Sequence, residues 1–236
     1  MNAGGHIAVA AAVMAASTGA GRNVEARLLL GSALPDLAAM GGFRLQGSAA
    51  NGPKTQDLAH GIYLHHRTDE AFHRSPWFTQ RNRDLYDELQ GRGMERGPAR
   101  ACSHVGIELL LDGELLSQRP IEEAAKAALG AIEEQRGALG PLVRSAQSSR
   151  WLAHLDRLAA HRLPADHHQP RAVAERLNRI MASRPRLAFG SGSIPTLTEA
   201  LRHHQPAVDN SATALVEEIV DQLRSHLDPL SYGVQR

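Results

Sequence analysis

Apolar positions in this chain recur every three to four residues, and alternating runs of β-branched residues are nearly absent. Alanine, leucine, arginine and glutamate dominate, so the pattern predicts helices and gives strands little support. A first helix is expected over residues 7–17, closed by Gly19 and Gly21. A second, 24–34, runs into Pro35-Asp36. Residues 41–53 form a glycine-rich loop. A histidine-rich helix over 57–73 follows, stopped by Ser75-Pro76, and then a helix over 77–90. The stretch 98–117 is the most apolar long segment, with Ala101, Val105, Leu109 and Leu116 on its inner side, and it belongs at the centre of a bundle. Further helices are expected over 121–136, 149–161, 170–183, 196–203 and 210–227. The fold class that results is all-α: one domain, residues 1–236, with roughly eight to ten helices.

Composition narrows the function classes. The 236 residues are 42% apolar and 22% charged, the balance of a globular domain. A net charge of +1 and an aromatic content of 4% argue against a nucleic-acid partner. The opening apolar run has no preceding lysine or arginine and is too short for a span of about 20 residues, so it reads as a buried helix rather than a signal peptide or membrane segment. No other stretch is long and apolar enough to cross a bilayer. Cys102 is the lone cysteine, which excludes an internal disulfide and makes a reducing, cytoplasmic compartment the expectation. With no base beside it, Cys102 reads as a small core residue.

Candidate chemistry lies in the histidines and acids. On a helix, His65, Asp69 and His73 fall on one face at i, i+4, i+8 spacing. His104, Glu108 and Asp112 repeat that spacing on the apolar central helix, where polar groups are costly to bury unless paired or ligated. His6 heads the first helix behind two glycines, and Asp36 ends an apolar run. Taken singly, each has a plain structural reading as a cap, a hydrogen-bonded core group or a surface residue. Jointly they describe a mixed nitrogen and oxygen site in a bundle core, suited to Mn, Fe or Zn, with Mg where carboxylate and water dominate. No zinc-protease motif, phosphate loop, dinucleotide fingerprint or nucleophile elbow competes. The histidines from His154 onwards, His203 and His204 among them, lie in polar or helix-end contexts and read as solvated or capping.

Five segments, in order, resemble the acyl-carrier-protein phosphodiesterases. They are Asn2-Ala-Gly-Gly-His6, Gly31-Ser-Ala-Leu-Pro-Asp36, Gly61-Ile-Tyr-Leu-His-His-Arg-Thr-Asp69, the His104/Glu108 pair, and Leu177-Asn-Arg-Ile-Met-Ala-Ser-Arg184 with Trp151 upstream. The resemblance covers about residues 2–187; residues 188–236 lie outside it and read as a helical C-terminal extension. It implies a fold distantly like the HD-domain phosphohydrolases, a divalent ion, and hydrolysis of the phosphodiester that joins 4′-phosphopantetheine to acyl carrier protein in fatty acid biosynthesis. Carried over position by position, it selects His6, Asp36, His65 and Asp69. The chain departs from the family pattern at Ala3 and Gly4, at His66 in place of arginine, and at His73 and His104 in place of acids. It also lacks an adjacent His-Asp pair.

The function expected from these readings is metal-dependent phosphodiester hydrolysis. His6, Asp36, His65, Asp69 and Glu108 are the expected ligands, and His104 and His73 proton carriers or extra ligands. Arg67 and Arg184 would neutralise phosphate, and His60, His66 and Asp112 would support from outside the ligand set. An acidic carrier protein would need clustered arginines, and Arg81, Arg83, Arg92, Arg96 and Arg100 flank one loop. The alternatives are a phosphohydrolase for a lipid head group or nucleotide, and a non-catalytic helical metal-binding protein.

Overall fold

The computed structural model describes residues 1–15, 22–46, 53–161, 163 and 165–227. Among the described residues, eleven α-helices run in the order α1 (Ala3–Ala15), α2 (Arg22–Met40), α3 (Pro53–Arg74), α4 (Pro76–Gly91), α5 (Arg96–Ser117), α6 (Arg119–Gly130), α7 (Ile132–Leu139), α8 (Ser148–His161), α9 (Pro170–Ala182), α10 (Ile194–Asp209) and α11 (Ala212–Leu227). Short 3-10 turns, among them Ala165–His168, join some of them, and no strand occurs among the described residues. The all-α reading holds. Residues 47–52 of the loop expected over 41–53 lie outside the described residues.

Two helices form the inside of the bundle. α1 is buried on nearly every side and packs on α2, α3, α5, α6 and α11. α5 is likewise buried along its length and touches α1, α4, α6, α9, α10 and α11. α1 is apolar all round rather than on one stripe, as a helix enclosed by others must be, whereas α5 adds polar residues, His104 and Glu108 among them, to its apolar faces. α10 and α11 close the bundle: Leu197, Leu201 and Ile219 are fully buried, so residues 194–227 contribute to the same core. No helix among the described residues is long and apolar enough to cross a membrane.

Two boundaries differ from the sequence expectation. α2 does not stop at Pro35 but runs on to Met40. Proline removes one hydrogen bond, to the carbonyl four residues earlier, but Leu37 and Ala38 beyond it are buried and their packing carries the helix through. The single helix expected over 121–136 is two, α6 and α7, which break at Gly130-Ala131.

α2 and α3 cross at glycines. A Cβ on Gly31 would lie 2.4 Å from the Leu58 carbonyl oxygen, and one on Gly61 would lie 2.3 Å from the Leu28 carbonyl oxygen and 2.6 Å from the Gly31 Cα. Side chains cannot fit there, so the two backbones touch. Just beyond the crossing stand Ser32 and Asp36 on α2 and His65 on α3. α3 then ends sharply at Arg74, because Ser75 caps α4 by accepting the Phe78 N–H and Pro76 occupies its first turn.

Candidate metal centre

The start of α1, the middle of α2, the second half of α3 and the middle of α5 meet at one place. There the structure assembles seven of the residues singled out from sequence: His6, Asp36, His65, Asp69, His73, His104 and Glu108.

The first trio is His6, Asp36 and His65, whose donor atoms lie within 4.8 Å of one another. His65 donates from Nδ1 to the Ser32 carbonyl oxygen at 2.9 Å. His6 directs Nδ1 at the Asn2 carbonyl oxygen, 3.1 Å away, and at Asp36 Oδ2, 2.8 Å away. A carbonyl oxygen only accepts, so in each ring the proton sits on Nδ1 and Nε2 carries the lone pair. The rings lie face to face at 3.8 Å between centroids. Burial first, then the nearby Met1 ammonium, pushes the His6 imidazole down to about 3. Burial and the His6 ring push His65 down to about 4. Both rings are neutral at pH 7 and ready to donate to a cation. His6 Nε2 is buried and has no hydrogen-bond partner, a state that buried polar nitrogens rarely tolerate.

The second trio is His73, His104 and Glu108. His104 Nε2 lies 3.3 Å and His73 Nε2 3.5 Å from Glu108 Oε1, and the two rings stack at 5.0 Å. Phe78, buried at the start of α4, sets its ring edge-on to both at 4.8 and 5.0 Å and so fixes their planes. Sequence reasoning missed Phe78, since nothing local links it to a helix 26 residues further on.

Asp69 joins the trios. Its Oδ1 lies 3.2 Å from His73 Nε2 and 3.9 Å from His6 Nε2. The amino group of Met1 sits between Asp69 Oδ1 at 3.2 Å and Glu108 Oε1 at 3.1 Å, so a positive charge is already held between the two carboxylates. Burial pushes both acids up, but hydrogen bonds from His73 to Asp69 and from His104 to Glu108, together with the Met1 ammonium, outweigh it. Both carboxyls are held below the usual carboxylate range. Asp36 has less opposing charge, and burial raises it to about 7.

The donor set fits a divalent ion. The free Nε2 lone pairs of His6 and His65, the neighbouring carboxylates and a buried nitrogen without a partner are what a mixed nitrogen and oxygen site requires. Carboxylate or carbonyl partners on the outer ring nitrogen of His6 and on that of His65 fix the tautomer that ligation needs.

The remaining sequence candidates sit differently. Asp112 is buried one turn beyond Glu108 and accepts the Gly5 N–H at 2.8 Å. Burial raises it to about 7 against that bond. It ties the first turn of α1 to α5, and Gly4 and Gly5 allow the approach: a Cβ on Gly4 would lie 3.0 Å from Asp112 Oδ1 and 2.7 Å from Leu116. Arg67 pairs with Glu70 on its own helix. His66 is exposed and meets His65 edge-on at 5.2 Å. His60 lies half-buried a turn before His65. Arg184 is exposed in the turn after α9. That turn packs its Arg186 carbonyl over Gly97, about 10 Å of helix before His104. In the same late segment Leu177 and Met181 are core residues, and Trp151 donates to the Leu139 carbonyl oxygen in the core. Burial pushes the Cys102 thiol up to about 12, which makes it inert.

Comparison with known protein families, curated proteins and solved structures finds no match.

Proposed function

We propose that this protein is a metal-dependent phosphodiester hydrolase whose ions are held at the two trios, with Asp69 between them. The observation that carries the proposal is the buried His6 Nε2, which has no partner and faces the Asp69 carboxylate across 3.9 Å. An imidazole nitrogen buried without a partner would otherwise be a cost with no return.

His6, Asp36 and His65 would hold one ion, His73, His104 and Glu108 a second, and Asp69 would contact both. A divalent ion in such a site lowers the pKa of bound water towards ~7 and polarises a phosphoryl oxygen. The chain's own part is orientation and charge. Ser32 and Asp36 fix the His65 and His6 rings, Phe78 fixes His73 and His104, and the low-lying Asp69 and Glu108 stay ionised to balance the cations. Arg67 would reach a phosphate only by leaving Glu70.

For the substrate, the resemblance to carrier-protein phosphodiesterases favours the phosphopantetheine arm of acyl carrier protein. Exposed Arg83, Arg96 and Arg100 around the α4–α5 turn offer an acidic partner a basic edge. Arg92 in the same turn is taken by Glu88. The test is incubation of metal-loaded protein with holo acyl carrier protein and, separately, with a small aryl phosphodiester. Mass spectrometry follows the arm. Its loss supports the carrier-protein reading. Cleavage of the small ester alone favours a head-group or nucleotide phosphohydrolase. Bound ions with neither activity would leave a non-catalytic metal-binding protein.

A further inference from the structure

Among the described residues outside this centre, one other group of side chains converges in the same manner. Glu88 lies near the end of α4, and His203 and His204 lie side by side on α10. His203 Nδ1 is 2.7 Å and His204 Nε2 3.0 Å from the same atom, Glu88 Oε2. We propose that Glu88, His203 and His204 form a separate binding site for a transition-metal ion of the zinc class, joining α4 to α10.

Three features support it. First, neighbouring residues on a helix point about 100° apart. Both reach one point on the facing helix because one imidazole uses its near nitrogen and the other its far nitrogen. The three donor atoms lie within 4.8 Å of one another, two nitrogens and one carboxylate oxygen, the open set that zinc accepts with water completing the shell. Second, the carboxylate is oriented from behind. Arg92, one turn on, places Nε at 2.9 Å and Nη2 at 2.7 Å from Glu88 Oε1. That fork occupies the outer oxygen and turns Oε2 towards the imidazoles, the arrangement in which a partner outside the ligand set aims the ligand. Third, Asp84 stands one turn before Glu88, and its charge acts on the buried His204. A cation there meets the charge of both acids, with Arg92 engaged on the outer oxygen of Glu88. His203 is largely exposed, so an ion enters from solvent without rearrangement of the core.

The site is distinct from the central one. α4 starts directly behind the helix that carries His73, and about 18 Å of helix separates Pro76 from Glu88. Glu88 and the two histidines are 115 and 116 residues apart in sequence. An ion bound there clamps the two helices that flank one side of α5, so zinc is expected to stabilise the chain independently of any hydrolytic activity.

The test uses the full-length protein stripped with a chelator and equilibrated by dialysis against micromolar free zinc, with bound metal measured by mass spectrometry. Wild type is expected to bind one zinc equivalent more than His203→Ala. Its zinc-induced rise in Tm should also be larger than that of the variant. The exposed position of His203 keeps the variant folded, which circular dichroism checks, and Glu88→Gln serves as a second variant of nearly the same size. Equal zinc content in wild type and both variants would overturn the site. Loss of zinc at the central centre, as in His65→Ala, leaves the difference between wild type and His203→Ala unchanged, so the two readings fail separately.

Discussion

Gly31 on α2 and Gly61 on α3 face each other so closely that a methyl group on Gly61 would stand 2.6 Å from the Gly31 Cα and 2.3 Å from the Leu28 carbonyl oxygen. Backbone cannot yield as a flexible side chain would. Gly61→Ala is therefore expected to force α2 and α3 apart at a cost of ~2–3 kcal/mol, seen as a Tm lower by roughly 4–10 °C. The His65 bond to the Ser32 carbonyl oxygen, one turn further along, should loosen with it, and metal content should fall. Unchanged Tm and metal content in Gly61→Ala would show that the crossing is not what brings Asp36 and His65 together.

Asp36 is the group whose protonation should govern metal affinity. Its folded-state pKa is raised from 3.8 to about 7, so below pH 7 it carries a proton that an ion must displace. His6 and His65, at about 3 and 4, are already neutral above pH 4 and release nothing. Affinity should thus rise by about tenfold per pH unit up to about pH 7 and level off above it. Calorimetric titration at pH 6 and pH 8 checks this, and equal affinities would contradict it.

The same shift has a consequence for stability without metal. A carboxyl whose folded pKa lies above its unfolded value favours the folded state in its protonated form. Its contribution is intact below pH 4 and is lost as pH rises from 4 to 7. Asp36→Asn should therefore make the metal-free protein more stable at pH 8, by at least about 1 kcal/mol, while it weakens metal binding. Chemical denaturation of the two metal-free proteins at pH 8 decides it; a less stable variant would refute the account.

Asp112 should separate into a structural role. Asp112→Ala removes the acceptor for the Gly5 N–H and is expected to cost about 1–3 kcal/mol. Asp112→Asn keeps an oxygen there and should retain both fold and metal content. If Asp112→Asn instead loses metal with stability intact, Asp112 is a ligand.

Much of the centre was legible because helical spacing is local. His65 and Asp69, and His104 and Glu108, stand one turn apart on the faces that periodicity assigns them, and the burial of α5 follows from its apolar sequence. What local spacing does not encode is which faces meet. The glycine crossing that unites α2 with α3, the Phe78 edge against His73 and His104, and the Met1 ammonium between Asp69 and Glu108 all depend on long-range packing. Pro35 misled for the opposite reason: its local rule is sound, but burial of Leu37 and Ala38 outweighs one hydrogen bond. His203 and His204 looked like solvated helix-end residues because their partner Glu88 is more than a hundred residues away. Arg184 lies in an exposed turn that packs over the first turn of α5, about 10 Å of helix before His104, a relation its own segment does not encode.

Two ions are expected at the two trios, with Asp69 between them. Anomalous diffraction from crystals equilibrated with manganese or zinc tests it most directly, because it locates each ion. One peak is expected bounded by His6, Asp36 and His65 and another bounded by His73, His104 and Glu108, both lost in Asp69→Ala or reduced there to partial occupancy. Crystals that hold the ion at neither trio under saturating metal would contradict it.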